Sequence, residues 1–242
     1  MAAVTVTALV SGGKDSVYSA YLADSQGLHV DELLTLRPSD PDSFLFHTPN
    51  LHLVALQAEA WGKKHRSLAV PEAGEEAEGR ALEEALSGSN GWVVAGAIAS
   101  AYQWSRLHRV CFRLGRPLFT PLWGKEPGRV VREEISAGLD IRLVHLAAEP
   151  LTPDLLGRRL DLPLLEEIER RAREQRPVHV AGEGGEYESL VVDAPFFRAR
   201  LEPAGEETFR SGGAYGLRIR DARLAPKPRS PTRGNAHTPP AG

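Results

Sequence analysis

The chain carries a single cysteine, Cys111, in 242 residues, so no internal disulfide and no cysteine-rich zinc site can form. Cys111 falls on an apolar helical face, which suits a buried structural thiol better than a nucleophile. No stretch approaches the roughly 20 apolar residues that span a bilayer. The first residues enter a strand pattern without a basic cluster or an apolar signal core, so a cytoplasmic protein is expected. Excess positive charge is missing as well. Against 29 Lys and Arg stand 32 Asp and Glu, and the net charge of −3 gives no sign of a nucleic-acid footprint. Neither DNA nor membrane is expected as a partner. Two common phosphate signatures, G-x-x-x-x-G-K-[ST] and G-x-G-x-x-G, are absent, and there is no internal repeat. What remains is ordinary for a soluble globular protein, and the length allows one large domain or two modest ones.

One short segment is not ordinary. Ser11-Gly12-Gly13-Lys14-Asp15-Ser16 follows the apolar run at residues 4–10 and precedes a helical pattern. Strand, glycine turn and helix in that order place free backbone N–H groups at a helix N-terminus, where the dipole also favours anions. Gly12 and Gly13 permit tight curvature and close approach of a phosphate. Ser11 and Ser16 add hydroxyl donors, and Lys14 adds a mobile positive charge. A glycine turn with a plain helix cap is the simpler alternative. The segment looks like the pyrophosphate loop of enzymes that cleave ATP between its α and β phosphates.

Strand patterns at 4–10, 30–36, 66–70, 92–95 and 141–146 alternate with helical patterns at 51–63, 75–86, 98–114 and 127–137, besides the helix that follows the loop. That alternation predicts an α/β fold, a parallel sheet flanked by helices, Rossmann-like and of the adenine nucleotide α-hydrolase type. Ligands of such sheets sit beyond the carboxyl ends of the strands, where residues 11–16 fall. After about residue 148 the rhythm changes. A helix at 164–173 precedes strand-like pieces at 178–181, 189–192, 196–201 and 215–220, which read as a smaller α+β domain. The expected division is 1–147 for nucleotide, 148–224 facing substrate, and 225–242 as a disordered tail poor in bulky apolar residues.

Further candidates lie in loops. His47-Thr48-Pro49-Asn50 precedes a helix that Asn50 would cap, or its polar side chains would touch substrate. Gly96 and Ala97 are small where a strand gives way to a helix, and Tyr102, Gln103 and Arg106 form either a polar helix surface or a cleft wall. Trp123 plugs the edge of the core or shapes a pocket. Gly182-Glu183-Gly184-Gly185-Glu186-Tyr187-Glu188-Ser189 clusters carboxylates in a glycine turn. Like charges held close need a cation or donor-rich ligand, so Mg²⁺, an amine-bearing substrate or plain solvation each fits.

Together these segments resemble diphthine–ammonia ligases, within the ATP pyrophosphatase (PP-loop) superfamily. The resemblance runs from residues 11–16 through His47-Thr48-Pro49-Asn50, residues 96–100, Tyr102-Gln103, Arg106, Val110-Cys111 and Pro121-Leu122-Trp123-Gly124. It continues through Leu156-Gly157-Arg158 to residues 182–189 and Asp193-Ala194-Pro195-Phe196-Phe197. The phosphate loop is shared by many ATP pyrophosphatases, whereas the glycine–glutamate run and the segment from Asp193 are specific to this group. Ala101, Leu107-His108 and His145 depart from the residues usual in the family.

The resemblance implies an ATP-dependent ligase that adenylates diphthine on translation elongation factor 2. Ammonia then displaces AMP, with Mg²⁺ and ATP as cofactors, and a homodimer is compatible with it. It implies pyrophosphate binding by Ser11, Gly12, Gly13, Lys14, Asp15 and Ser16 beside Gly96. Lys14, Asp15, Arg106, Glu183 and Glu186 take catalytic roles, with Asp15 also a metal ligand. His47, Asn50, Tyr102, Gln103, Gly184, Gly185, Tyr187 and Glu188 face substrate. A trimethylammonium on diphthine suits carboxylates and the Tyr187 ring. A related ligase or thiolase acting on another acid or on tRNA is the alternative, as is a nucleotide-binding protein without turnover.

Overall fold

A computed structural model describes residues 5–38, 50–70, 75–88 and 90–227. Strand β1 (Val6–Leu9) is buried at every position, as the central strand of a sheet covered on both faces must be. Around it β2 (Val30–Pro38), β3 (Lys64–Val70), β4 (Val93–Val94) and β5 (Leu118–Phe119) form a five-stranded sheet of order β3-β2-β1-β4-β5, and every pairing is parallel. The connections are α1 (Lys14–Ser25), α2 (Val54–Trp61), α3 (Glu75–Ser87) and α4 (Ala101–Arg113). The α/β expectation therefore holds. On α3 the apolar positions Ala81, Leu82, Ala85 and Leu86 are all buried, as their helical spacing requires.

Helix α5 (Pro127–Ser136) then leads into a second sheet. Its first turn is set by Pro127 and by Glu126, whose carboxylate accepts from the N–H groups of Gly128 and Arg129 at 2.8 and 2.6 Å. The second sheet comprises β6 (Asp140–Leu146), β7 (Tyr187–Asp193), β8 (Ala199–Ser211) and β9 (Ala214–Pro226), ordered β7-β6-β9-β8 and antiparallel throughout. Helix α6 (Leu162–Glu174), capped by Asp161, precedes β7.

Four sequence expectations are corrected. The strand at 141–146 does not extend the parallel sheet, because β6 pairs with β7 and β9. Residues 178–181 form no strand, since the His179 carbonyl turns back to accept from Gly182 N at 2.7 Å. Of the piece at 196–201 only residues 199–201 are strand, the start of the 13-residue β8 that pairs with β9 across the Gly212-Gly213 turn. Both turn glycines have positive φ, as a tight hairpin of that hand requires. Finally, β9 runs to Pro226, past the expected start of the tail, and residues 228–242 lie outside the described residues.

The sheets share a core. Val17, Val54, Leu143, Leu190 and Ile219 belong to one buried cluster that spans both, and a second cluster fills the α3–α4 side of the parallel sheet. Tyr21, Trp61, Phe196 and Phe197 lock the aromatic segment after β7 against α1 and α2. Phe196 lies 4.5 Å from Tyr21 and 4.4 Å from Trp61 between ring centroids.

Candidate functional site

The carboxyl ends of β1 and β4 meet the second sheet across a cleft of about 890 Å³, within the range of small-molecule sites. Ser11, Gly13, Lys14, Asp15 and Ser16 form one part of its wall, Gly96, Tyr102 and Gln103 another, and Glu183, Gly184, Gly185, Tyr187 and Glu188 the side opposite. Residues as far apart in the chain as Ser11 and Glu188, 177 positions, thus line one cleft.

The turn before α1 is built from both sheets. Gly12 has φ +88°, where a side chain is strained, and its carbonyl accepts from Val191 N at 3.0 Å and from Gln57 Nε2 at 3.0 Å. Gln57 Nε2 also donates to the Val191 carbonyl at 2.7 Å, so the buried amide rivets the turn to β7. Lys14 N, the first amide of α1, donates to Ser189 Oγ at 3.2 Å. Ser16 Oγ donates to the Gly13 carbonyl at 3.0 Å and accepts from Ser11 N at 3.2 Å. Gly96 is required by proximity. A Cβ there would stand 2.8 Å from the Asp15 carbonyl and from Ser16 N.

Lys14 is buried within this turn. Its Nζ donates to Asp15 Oδ1 at 2.7 Å, lies 3.7 Å from Glu134 Oε2 of α5, and sits 5.7 Å from the Tyr187 ring centroid. Burial pulls the ammonium down, but Asp15, Glu134 and Tyr187 together outweigh it and hold its proton more firmly than in an ordinary lysine. Burial also pushes Glu134 well above the usual carboxylate range, opposed by Lys14 and reinforced by Asp15. The Tyr187 hydroxyl is likewise raised by burial, and it donates to the Val180 carbonyl at 2.8 Å.

The glycine–glutamate loop is organised by its own carboxylates. Glu183 Oε1 accepts from Ile98 N at 2.7 Å and Ser100 N at 3.0 Å, and Oε2 accepts from Ala99 N at 2.7 Å. Those amides belong to the turn between β4 and α4, whose N-cap is Ser100, so Glu183 places its negative charge beside a helix N-terminus. Glu186 accepts from His179 N at 3.1 Å and Gly184 N at 2.9 Å, bracing the loop from within. Gly182 has φ +74°, and a Cβ there would stand 2.6 Å from the Tyr187 carbonyl.

Other expected positions fall elsewhere. Arg106 does not line the cleft. It faces the α3–α4 groove and donates to Tyr102 Oη at 2.6 Å, steadying a ring that is itself at the cleft. Asn50 is fully buried away from the cleft, donating to the Leu217 carbonyl at 3.0 Å and accepting from Ile219 N at 2.8 Å. It neither caps the following helix with its side chain nor lines the cleft, and it docks the start of α2 on β9. His47 lies outside the described residues. Sequence reasoning missed Glu134, Gln57 and the bond that Ser189 accepts, because each acts through a partner more than 40 positions away. Among the described residues no group of three or more His, Cys, Asp or Glu is placed to hold a metal ion, and no helix is long and apolar enough to cross a membrane.

Fold and cleft define an α/β protein with a glycine turn and a buried lysine at the carboxyl ends of a parallel sheet, faced by a second, antiparallel sheet. Family models described as diphthamide synthase N-terminal domain and diphthamide synthase C-terminal domain match residues 4–117 and 126–220. A human protein named diphthine–ammonia ligase is 32% identical over 225 residues, covering 81% of each chain. The mouse protein of that name is 32% identical over 240 residues, covering 87% of each. The fission yeast protein of that name is 30% identical over 216 residues, which are 81% of this chain and 35% of the larger relative. The chain belongs to the diphthamide synthase family of diphthine–ammonia ligases. A solved structure titled as a predicted subunit of tRNA methyltransferase from Methanocaldococcus jannaschii matches 80% of this chain and 98% of its own at 16% identity and a TM-score of 0.45.

Proposed function

We propose that the cleft binds ATP, adenylates the carboxylate of diphthine on translation elongation factor 2, and directs ammonia to the acyl-adenylate with release of AMP. The observation that carries this reading is the buried Lys14 set into a turn of backbone amides, in the same cleft as the carboxylate-rich loop. Adenylation turns a poor oxide leaving group into AMP, and the protein's part is positioning and charge stabilisation. Ser11, Gly12, Gly13 and Ser16 hold the departing pyrophosphate, and Lys14 balances the charge growing on it. Gly96 lets the nucleotide side of the cleft close against α1.

Asp15 lines the cleft and is partly exposed, so it fits as one carboxylate ligand for Mg²⁺ carried on the phosphates. When bound, that ion neutralises phosphate charge. Tyr102, Gln103, Tyr187 and Glu188 face the acceptor, with Gly184 and Gly185 letting its backbone approach. Glu183, Glu186 and Arg106 act through protein partners: Glu183 on the amides of residues 98–100, Glu186 on its own loop, and Arg106 on the Tyr102 hydroxyl.

Incubation with ATP, ammonium and diphthine-bearing elongation factor tests the reading by nucleotide analysis and intact mass. AMP, pyrophosphate and a loss of about 1 Da on the factor are expected, as carboxyl becomes amide. A Lys14→Ala variant is expected to lose about 10²–10³-fold in turnover. ADP as the nucleotide product, or AMP release with an unchanged factor, overturns the assignment.

A further inference from the structure

Behind the phosphate turn lies a charge arrangement that packing does not account for. Lys14 and Glu134 have side-chain exposures of 1% and 0%, with Nζ and Oε2 3.7 Å apart, too far for a hydrogen bond. Burial opposes an ionised Glu134, and the Lys14 ammonium is the group that favours it. Neither Glu134 oxygen makes a well-formed hydrogen bond among the described residues, although Lys14 and Asp15 stand close enough to bias its proton in opposite directions. A buried carboxyl group without donors opposes folding, and a well-packed apolar side chain of similar volume is commonly as stable or more so. Its contribution lies elsewhere.

The two acidic neighbours of Lys14 differ in access. Asp15 lines the cleft with 30% of its side chain exposed, on the side from which a phosphate arrives. Glu134 projects from α5, is closed to solvent and does not line the cleft. An ammonium has three donors, and one is committed to Asp15 at 2.7 Å. An incoming phosphate competes with Asp15 for the ammonium and cannot reach Glu134. Asp15 is the exchangeable partner and Glu134 the fixed one.

We propose that Glu134 is a positioning residue for Lys14, holding its ammonium in line with the phosphate turn while Asp15 yields its place to phosphate. The inference rests on reading the cleft as an ATP-adenylating site. Because Lys14 serves charge that develops as pyrophosphate departs, loss of its fixed partner lowers kcat more than it raises KM for ATP.

The test measures AMP release by Glu134→Gln, Glu134→Asp and Lys14→Ala beside the wild type, with melting temperature recorded for each. For Glu134→Gln a fall in kcat of about tenfold or more is expected, with KM for ATP within about threefold and no loss in melting temperature. Glu134→Asp, which keeps the carboxyl group, is expected between the two. Unchanged kcat in Glu134→Gln beside an inactive Lys14→Ala overturns this inference and leaves the ATP site standing. Full activity in Lys14→Ala overturns the reading of the site itself. If Glu134→Gln or Glu134→Asp loses melting temperature and activity together, with Asp no better than Gln, Glu134 is structural and the proposal fails.

Discussion

Removing the Glu183 carboxylate is expected to lower stability first and chemistry second. Its two oxygens take three N–H donors from consecutive residues 98, 99 and 100, at 2.7, 2.7 and 3.0 Å. Hydrogen bonds to a charged acceptor contribute about 1.5–3 kcal/mol each, and a charge at a helix end adds about 0.3–1 kcal/mol. The sum overstates the effect, because Ala99 lies at an exposed rim where water takes over a freed amide. Ser100 also keeps its own bond from Gln103 N. A loss of about 2 kcal/mol for Glu183→Ala is the expected net. For a chain of this size that is a drop of about 4–8 °C in melting temperature.

Glu183→Gln keeps one carbonyl acceptor and turns an NH₂ donor toward the other amides, so roughly half the loss is expected. Circular dichroism melts supply the measurement, paired with AMP release at a temperature where all variants are folded. AMP formation is expected to persist in both variants, with a higher KM for the acceptor as the loop bearing Tyr187 and Glu188 loses its anchor. A Glu183→Ala melt within about 1 °C of wild type would refute the joint. A Glu183→Gln variant that melts like wild type but releases no AMP would restore Glu183 to the catalytic role its sequence context suggested.

Three further substitutions probe other contacts. Gly96→Ala pushes a Cβ to 2.8 Å from the backbone of Asp15 and Ser16, so about 1–3 kcal/mol of stability and most AMP release should be lost; a variant as active as wild type contradicts the close approach. Asn50→Ala strands the Leu217 carbonyl and Ile219 N–H in the core and should cost about 2–4 kcal/mol, with Asn50→Asp worse because it sets an acceptor against that carbonyl. A rise in KM for the acceptor without a melting change would instead return Asn50 to substrate binding. Burial pushes the Cys111 thiol up to about 11, with Arg116 opposing, so the thiolate is scarce at neutral pH. Iodoacetamide should therefore fail to label native protein at pH 8 and label it fully in urea; rapid native labelling would show an accessible thiolate.

How much of this was legible in the chain follows from the reach of each interaction. The turn at residues 11–16 was readable because strand, glycine pair and helix are contiguous. The helices were readable because a buried stripe repeats within each one, as Ala81, Leu82, Ala85 and Leu86 do on α3. Strand β6 was recognised as a strand and given the wrong sheet, since its alternation says nothing of its partners, and β7 and β9 lie some 45–75 positions later. At two residues β5 has no periodicity to read. The outer half of β8 is mostly exposed, so no alternation marks it, and only the glycine pair at 212–213 hinted at its hairpin. Glu183 looked like a ligand for substrate or metal because carboxylates beside glycines invite a cation. Its real partners are three amides over 80 positions earlier, which carry no side-chain signature at all.

The same non-local ties explain how a cleft between two sheets can hold a fixed shape. Were the sheets joined only by apolar packing, small slides would cost little and the turn at residues 11–16 would have no fixed distance to Tyr187 and Glu188. Gln57 prevents this behind the turn by bonding the Gly12 and Val191 carbonyls with one amide group, and Ser189 adds the first amide of α1. Glu183 adds a second tie at the cleft wall, between the loop before β7 and the turn before α4. Directional bonds at two places resist both sliding and hinge opening, which apolar contact alone cannot do. The turn at residues 11–16 and the loop at residues 183–188 belong to different sheets and are thereby held in one geometry, which is what the proposed in-line adenylyl transfer requires of them.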